Sequence, residues 1–157
     1  MNQYIALIRI HGKVGVRKKA RDTLNMLKLY KKYHCVIVPN TKPFLGMIKQ
    51  VKDFITWGEI DKETLTLLLE KRGRLPNKQP LNEDYVKEKI NSSIKQFAED
   101  VLNFKKRLKD LPGLKLFFKL APPRGGFGRK GTKQPYSIGG VLGYRKEKIN
   151  DLIKKML

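Results

Sequence analysis

Three short apolar runs and two helical periods fall within the first 57 residues of this chain, and that density of alternation leaves few folds open. Tyr4 to Ile10 is apolar and β-branched enough for a strand, with Arg9 near its end read as an edge reaching solvent. A loop follows at His11-Gly12-Lys13-Val14-Gly15. From Val16 to Tyr30 the apolar residues Val16, Ala20, Leu24 and Leu27 recur at helical spacing. Tyr33 to Val38 reads as a second strand stopped by Pro39. Asn40 or Thr41 can cap a second helix that takes Pro43 into its first turn and runs to about Lys52. Phe54 to Trp57 is a third strand, closed by Gly58. Two helices can cover only one face of so small a sheet. The predicted class is α+β, a three-stranded sheet in the order β-α-β-α-β with both helices on one side.

Beyond residue 57 the pattern changes. Asp61 is placed to cap a helix over Lys62 to Lys71, with Gly73 as its stop and Pro76 after it. A second helix starts near Asn82 and runs through Tyr85, Val86 and Ile90. A third covers Ser93 to Leu108. Leu114 to Leu120 alternates as a strand would. Ala121 to Gly143 then brings three prolines and seven glycines, with Arg124, Arg129, Lys130 and Lys133 among them. That stretch reads as an extended loop that orders against a polyanion; the alternative is a rigid turn packed through Phe127 and Tyr136. A helix over Lys146 to Met156 follows. The expected organisation is thus a core of residues 1–57 and an extension of residues 58–157, with helices over 61–108, a basic loop at 121–143 and a helix at 146–156.

Charge divides the chain the same way. Overall, 35 Lys and Arg stand against 14 Asp and Glu, a net charge of +21. Residues 1–57 hold 12 bases and two acids, residues 58–104 eight and nine, and residues 105–157 fifteen and three. Two basic blocks flank a neutral middle. So large an excess favours a polyanionic partner, and the middle reads as a spacer or a surface for another protein. The apolar runs are too short to span a membrane, and Ile5 to Ile8 is broken by Arg9 before it could serve as an export signal. Basic residues spread over helices and loops alike also argue against membrane-surface binding. With a single cysteine, Cys35, no internal disulfide can form, so a reducing cytoplasm is expected.

Several constellations carry that reading further. At 100° per residue Arg17, Arg21, Lys28 and Lys32 form one stripe on the first helix, and Asp22 is the only acid before residue 53. An ordinary solvated helix face would mix signs, so phosphate contact is favoured. Gly12 and Gly15 bracket the loop entering that helix, whose N-terminus attracts anions, although strand-to-helix turns often need glycine for geometry alone. Gly126, Gly128 and Gly131 match a dinucleotide-binding spacing but lack the strand before and the helix after it. They suit a flexible basic loop lying along a sugar-phosphate chain, with Phe127 and Tyr136 able either to stack on bases or to pack locally. Catalysis and metal binding find no support. His34 and Cys35 are adjacent on a strand and point to opposite faces, Cys35 reads as a small buried hydrophobe, and no carboxylate pair or cofactor motif occurs. Three functions compete: an RNA-binding structural protein, a free RNA chaperone or regulator, and an RNA-acting enzyme without a visible catalytic group.

The motifs taken together resemble a known family. Gly12-Lys13-Val14-Gly15-Val16-Arg17 and Pro39-Asn40-Thr41 with Gly46-Met47-Ile48 are similar to the universal large-subunit ribosomal protein family called L-thirty. Gly58-Glu59-Ile60, Lys71-Arg72-Gly73-Arg74, Pro122-Pro123-Arg124-Gly125-Gly126, Ser137-Ile138-Gly139-Gly140 and Ile149-Asn150-Asp151-Leu152 resemble its longer archaeal form, related to the seventh large-subunit protein of eukaryotes. Ala121 stands where this family often has histidine. The resemblance implies a ferredoxin-like half with an appended extension, no enzymatic activity, no cofactor or metal, and no small-molecule substrate. The implied partners are large-subunit rRNA, with 5S rRNA as a further candidate, and neighbouring ribosomal proteins. Combined with the charge pattern it nominates as RNA contacts His11, Gly12, Lys13, Gly15, Arg17, Lys18, Arg21, Lys28 and Lys32, then Lys42 and Lys49. From the extension come Arg72, Arg74, Arg124, Gly125, Gly126, Phe127, Arg129, Lys130, Lys133 and Arg145.

Overall fold

Alternate side chains of the first strand, β1 (Tyr4–Arg9), enter two separate apolar cores, and every residue of the strand is buried. The structure is a computed structural model and describes residues 3–128 and 130–157. β1 lies at the centre of a five-stranded sheet and pairs antiparallel with β2 (His34–Pro39) on one side and β3 (Ile55–Glu59) on the other. Registers such as Ile8↔Cys35 and Ile8↔Thr56 set the three strands side by side. Two two-residue strands extend the edges: β4 (Phe118–Lys119) runs antiparallel to β2, and β5 (Gly143–Tyr144) parallel to β3. The α+β class and the β-α-β-α-β order are as expected, and the sheet gains its two extra strands from the extension.

On one face, Ile5 and Leu7 of β1 join Val36 and Val38 of β2 beneath α1 (Lys18–Met26) and α2 (Lys42–Val51), which bury Leu24, Ile48 and Val51. On the other face, Tyr4, Ala6 and Ile8 meet Cys35 and Ile37, covered by α3 (Lys62–Arg72), α5 (Ile94–Leu102) and α6 (Ile149–Met156). Helices therefore cover both faces, where the sequence reading expected one covered side. The physical reason is the solid apolar character of β1, which suits a strand buried on both sides. α4 (Glu83–Ile90) adds Val86 to this second core.

The extension departs from the reading in detail. Ser93 caps α5 in a reciprocal box with Gln96, but the helix stops at Leu102 instead of Leu108, and the chain reaches Leu108 through a turn in which Phe104 takes φ 59°. Residues 114–117 lie outside the sheet, and only Phe118–Lys119 forms ladder bonds. The helix expected from Lys146 begins as a short 3₁₀ turn, Lys146–Lys148, before α6.

Two contacts fasten α6 to the sheet. Gly58 lies so close to it that a Cβ there would be 2.0 Å from the Lys146 carbonyl oxygen and 3.0 Å from Ile149. The Asn150 amide, nearly inaccessible, donates to the Glu59 carbonyl at 3.0 Å and accepts from the Asp61 N–H at 3.1 Å. Gly58→Ala is expected to lose about 1–3 kcal/mol through backbone overpacking, read as an earlier denaturant midpoint.

At the other edge His34 is buried. Desolvation, with Lys119, Lys31 and Arg9 adding positive field, pushes its imidazole down from 6.5 to about 4. As pH falls below 6.5 the unfolded chain takes up this proton first, so stability is full above that pH and declines toward about 4. His34→Phe is expected to remove that component, up to about 3 kcal/mol, from urea midpoints measured across the window.

Candidate nucleic-acid interface

The last residue of β1, Arg9, is 1% exposed, and among the described residues no acid is bonded to it. The edge reaching solvent expected at this position is absent, because the guanidinium turns inward. Its Nε donates to the His11 carbonyl at 2.8 Å and its Nη2 to the Gly12 carbonyl at 2.8 Å. Its Nη1 reaches the carbonyls of Leu29 at 2.7 Å and Tyr30 at 3.3 Å. Burial lowers its pKa from the ordinary value. One cation thus ties two loops together: residues 10–17, before α1, and residues 27–33, after it. A planar fork with several fixed donors suits this arrangement, and an ammonium does not.

The second loop is sharply defined. Helix α1 ends at Met26, not Tyr30, and its exit is a Schellman turn in which the Lys28 N–H bonds the Asn25 carbonyl at 2.9 Å and the Leu29 N–H bonds the Leu24 carbonyl at 2.8 Å. Lys28 holds the left-handed position at φ 61°, where glycine is usual, and Tyr33 closes the loop at φ 64°. The four-residue helical stripe is therefore not a stripe. Arg21 belongs to α1 and Arg17 is its N-cap, whereas Lys28 and Lys32 sit on the loop that Arg9 holds beside residues 11–12.

The entrance to α1 is open to an anion. Arg17 is its N-cap, no side chain caps it, and its first turn holds no acid. The first turn of α2 likewise has neither a side-chain cap bond nor an acid. Placing Lys18 and Lys42 at these helix starts opposes the helix dipole. By contrast α3, α4 and α6 carry Glu63, Glu83 with Asp84, and Asp151 in their first turns. The ion pairs show the same division. Among the described residues they are Lys62–Glu99, Lys89–Glu88, Lys106–Asp100 and Lys154–Glu63, all beyond residue 60.

The nominated residues fall into groups. His11, Lys13, Gly15, Arg17, Lys18, Arg21 and Lys32 are exposed around the Arg9 end of the sheet, and Gly12 and Lys28 are half-buried there. Lys42 and Lys49 are exposed on α2, Lys42 starting beside the opposite end of the sheet, where Pro39 pairs with Tyr4. Arg72 is half-buried and donates to the Leu157 carbonyl at 2.8 Å, and Arg74 is half-buried in a bridge to Pro80. Arg145 spends its donors on Thr56 and Val141, with its guanidinium 4.5 Å over the Tyr136 ring.

The Gly/Pro loop is more anchored than its composition implied. Val141 and Leu142 are buried, and Ala121 and Arg124 bond the carbonyls of Met156 and Lys155. Phe127 packs against Tyr33 with ring centroids 6.1 Å apart. This is the packed-turn alternative. Arg124, Gly125, Gly126, Lys130 and Lys133 stay exposed on it, and Arg129 lies outside the described residues. The sequence reading passed over Arg9, Lys31 and Tyr30; the run Lys28-Leu29-Tyr30-Lys31-Lys32-Tyr33 was the available signal. Arg9→Lys is expected to cost about 3 kcal/mol, because buried carbonyls lose charge-assisted bonds that one ammonium cannot all replace. Amide exchange should rise in residues 10–17 and 27–33 together.

Comparison with known proteins bears on this geometry. The family model described as ribosomal protein L30p/L7e matches residues 5–55, which span β1 to the start of β3. The large ribosomal subunit protein uL30 of Methanococcus maripaludis is 50% identical over 152 residues, covering 97% of this chain and 98% of that protein. Its counterpart in Archaeoglobus fulgidus is 48% identical over 96% of this chain, and that in Methanopyrus kandleri 44% over 94%. The likeness runs through the extension as well as the core, and on it this chain belongs to the L30p/L7e family of ribosomal proteins.

Proposed function

We propose that this chain, a structural and non-enzymatic constituent of the large subunit of the cytoplasmic ribosome, holds its place there by binding large-subunit rRNA. The observation that carries this reading is the segregation of charge pairing. Residues 1–57 have 12 Lys and Arg against two acids, and no described ion pair lies among them. Cations left unpaired on a folded surface repel one another. Phosphates relieve that repulsion and release counterions as they bind.

The fold contributes spacing. Two loops locked to one guanidinium, with an uncapped helix start beside them, keep Lys13, Arg17, Lys18, Arg21, Lys28 and Lys32 at fixed separations. Contacts of this kind fix orientation on the RNA without reading its sequence. Lys42, Lys49 and the exposed residues of the Gly/Pro loop extend the same role, while the neutral middle, residues 58–104, supplies a mixed-charge surface suited to neighbouring ribosomal proteins. 5S rRNA is the finer candidate partner within the same chemistry.

The test uses a variant that removes charge without disturbing the fold. Arg17→Gln, Arg21→Gln and Lys28→Gly change surface groups, and glycine is at ease in the left-handed position that Lys28 occupies. The triple variant should unfold within about 0.5 kcal/mol of wild type. Its log Kd against log salt for a large-subunit rRNA fragment should flatten by roughly one unit per lost contact. An unchanged slope would remove these residues from the interface.

A further inference from the structure

We propose that Tyr30 is a stacking platform for an unpaired RNA base, a subsite that rests on the rRNA-binding reading and sharpens it to single-stranded or bulged nucleotides. Tyr30 is 39% exposed on a chain whose aromatic rings are mostly enclosed. Its backbone is fixed, because its carbonyl and that of Leu29 both accept from Arg9 and the loop is closed by left-handed residues at Lys28 and Tyr33. Non-glycine residues held in that region cost free energy, and surrounding structure must over-determine them.

Its ring is braced too. His34 and Phe117 stack on each other at 4.9 Å and 15°, and both stand perpendicular to Tyr30, at 6.4 and 5.6 Å. Those distances put the two rings in neighbouring directions from the Tyr30 ring centre. Lys28, Lys31 and Lys32 flank it in the chain, and Lys119 sits opposite His34 in the β2–β4 ladder. No acid lies between Asp22 and Asp53 in sequence. A braced, partly open ring among cations suits a base face with its phosphates on either side.

The other aromatic candidates fit less well. Phe127 is packed on Tyr33, and Tyr136 lies under Arg145. Tyr144 is more exposed, at 47%, but its hydroxyl is bonded to Glu59, and it borders a cleft of about 840 Å³ that Glu59, Asp61 and Glu147 also line. Arg145, Lys146 and Lys148 line that cleft too, so its charges balance, whereas the charged residues flanking Tyr30 in the chain are all cations.

Stacking and phosphate contact leave different signatures, and these decide the matter. The full chain would be titrated with an oligoadenylate of about 12 nucleotides and with its duplex with oligouridylate, over a salt series. Tyr30→Leu is expected to weaken single-strand binding about 5- to 150-fold with an unchanged salt slope and little effect on the duplex, and Tyr30→Phe to behave as wild type. In the wild-type chain, the Tyr30 ring proton resonances should move upfield on adding the single strand, a readout independent of how the variants fold. Equal single-strand affinity for Tyr30→Leu and wild type, equal loss on both RNAs, or unmoved ring resonances would overturn the subsite while leaving the rRNA reading in place. A wild-type chain that bound neither RNA would overturn both.

Discussion

A strand with no solvent face organises this molecule. Because β1 is buried at every position, it needs apolar cover above and below, and no arrangement of residues 1–57 alone supplies both. α1 and α2 close one side. The other side, which takes Tyr4, Ala6 and Ile8, is closed by helices arriving 60 to 150 residues along the chain. Each fully buried Ile or Leu contributes about 1.5–3 kcal/mol, so leaving this second face open would forfeit stability comparable to that of a whole domain. The extension is thus part of the core's own packing, and it also supplies the edge strands β4 and β5.

Burying Arg9 at the end of that strand is costly, and backbone carbonyls offset it. Four of them, from two loops distant in sequence, converge on the guanidinium. An inward arginine satisfied by carbonyls adds no negative charge to its neighbourhood, as a carboxylate partner would. The surrounding surface therefore stays uniformly positive. A carboxylate there would have made an equally good buried pair and a poorer face for a polyanion.

The same logic explains how a chain of net charge +21 remains folded. Among the described residues its ion pairs and helix-start acids lie in the extension, while the cations of the first 57 residues stand on exposed loops and on helix starts without a side-chain cap. Residues that hold the structure and residues that face outward are largely different residues. Arg72 and Arg145 are exceptions: the Arg72 Nη2 bonds the Leu157 carbonyl, and Arg145 bonds Thr56 and Val141.

Local patterns were legible from residue order because they depend on neighbours in the chain. Strand and helix periods, and the helix boundaries at Thr41 with Pro43, at Asp61 and at Gly73, all act within a turn or two, and so does the division of charge into blocks. Burial of the lone cysteine was equally legible: Cys35 faces the second core, and desolvation pushes its thiol up to about 12. Family membership was legible for a similar reason, since it rests on short motifs such as Gly12 to Arg17. What the tertiary structure decided were matters of distance in sequence. Arg9 read as an edge residue because its acceptors at Leu29 and Tyr30 lie 20 and 21 positions away. Helix α1 read four residues too long because its spacing continues past Met26, while a left-handed Lys28, set by the 6→1 closure of its loop, ends it. The second covered face, the edge strands and the anchored Gly/Pro loop all came from pairings remote in sequence, such as Thr56 with Gly143. No local pattern encodes a partner so remote; it is selected when apolar surface left open by one segment is closed by another.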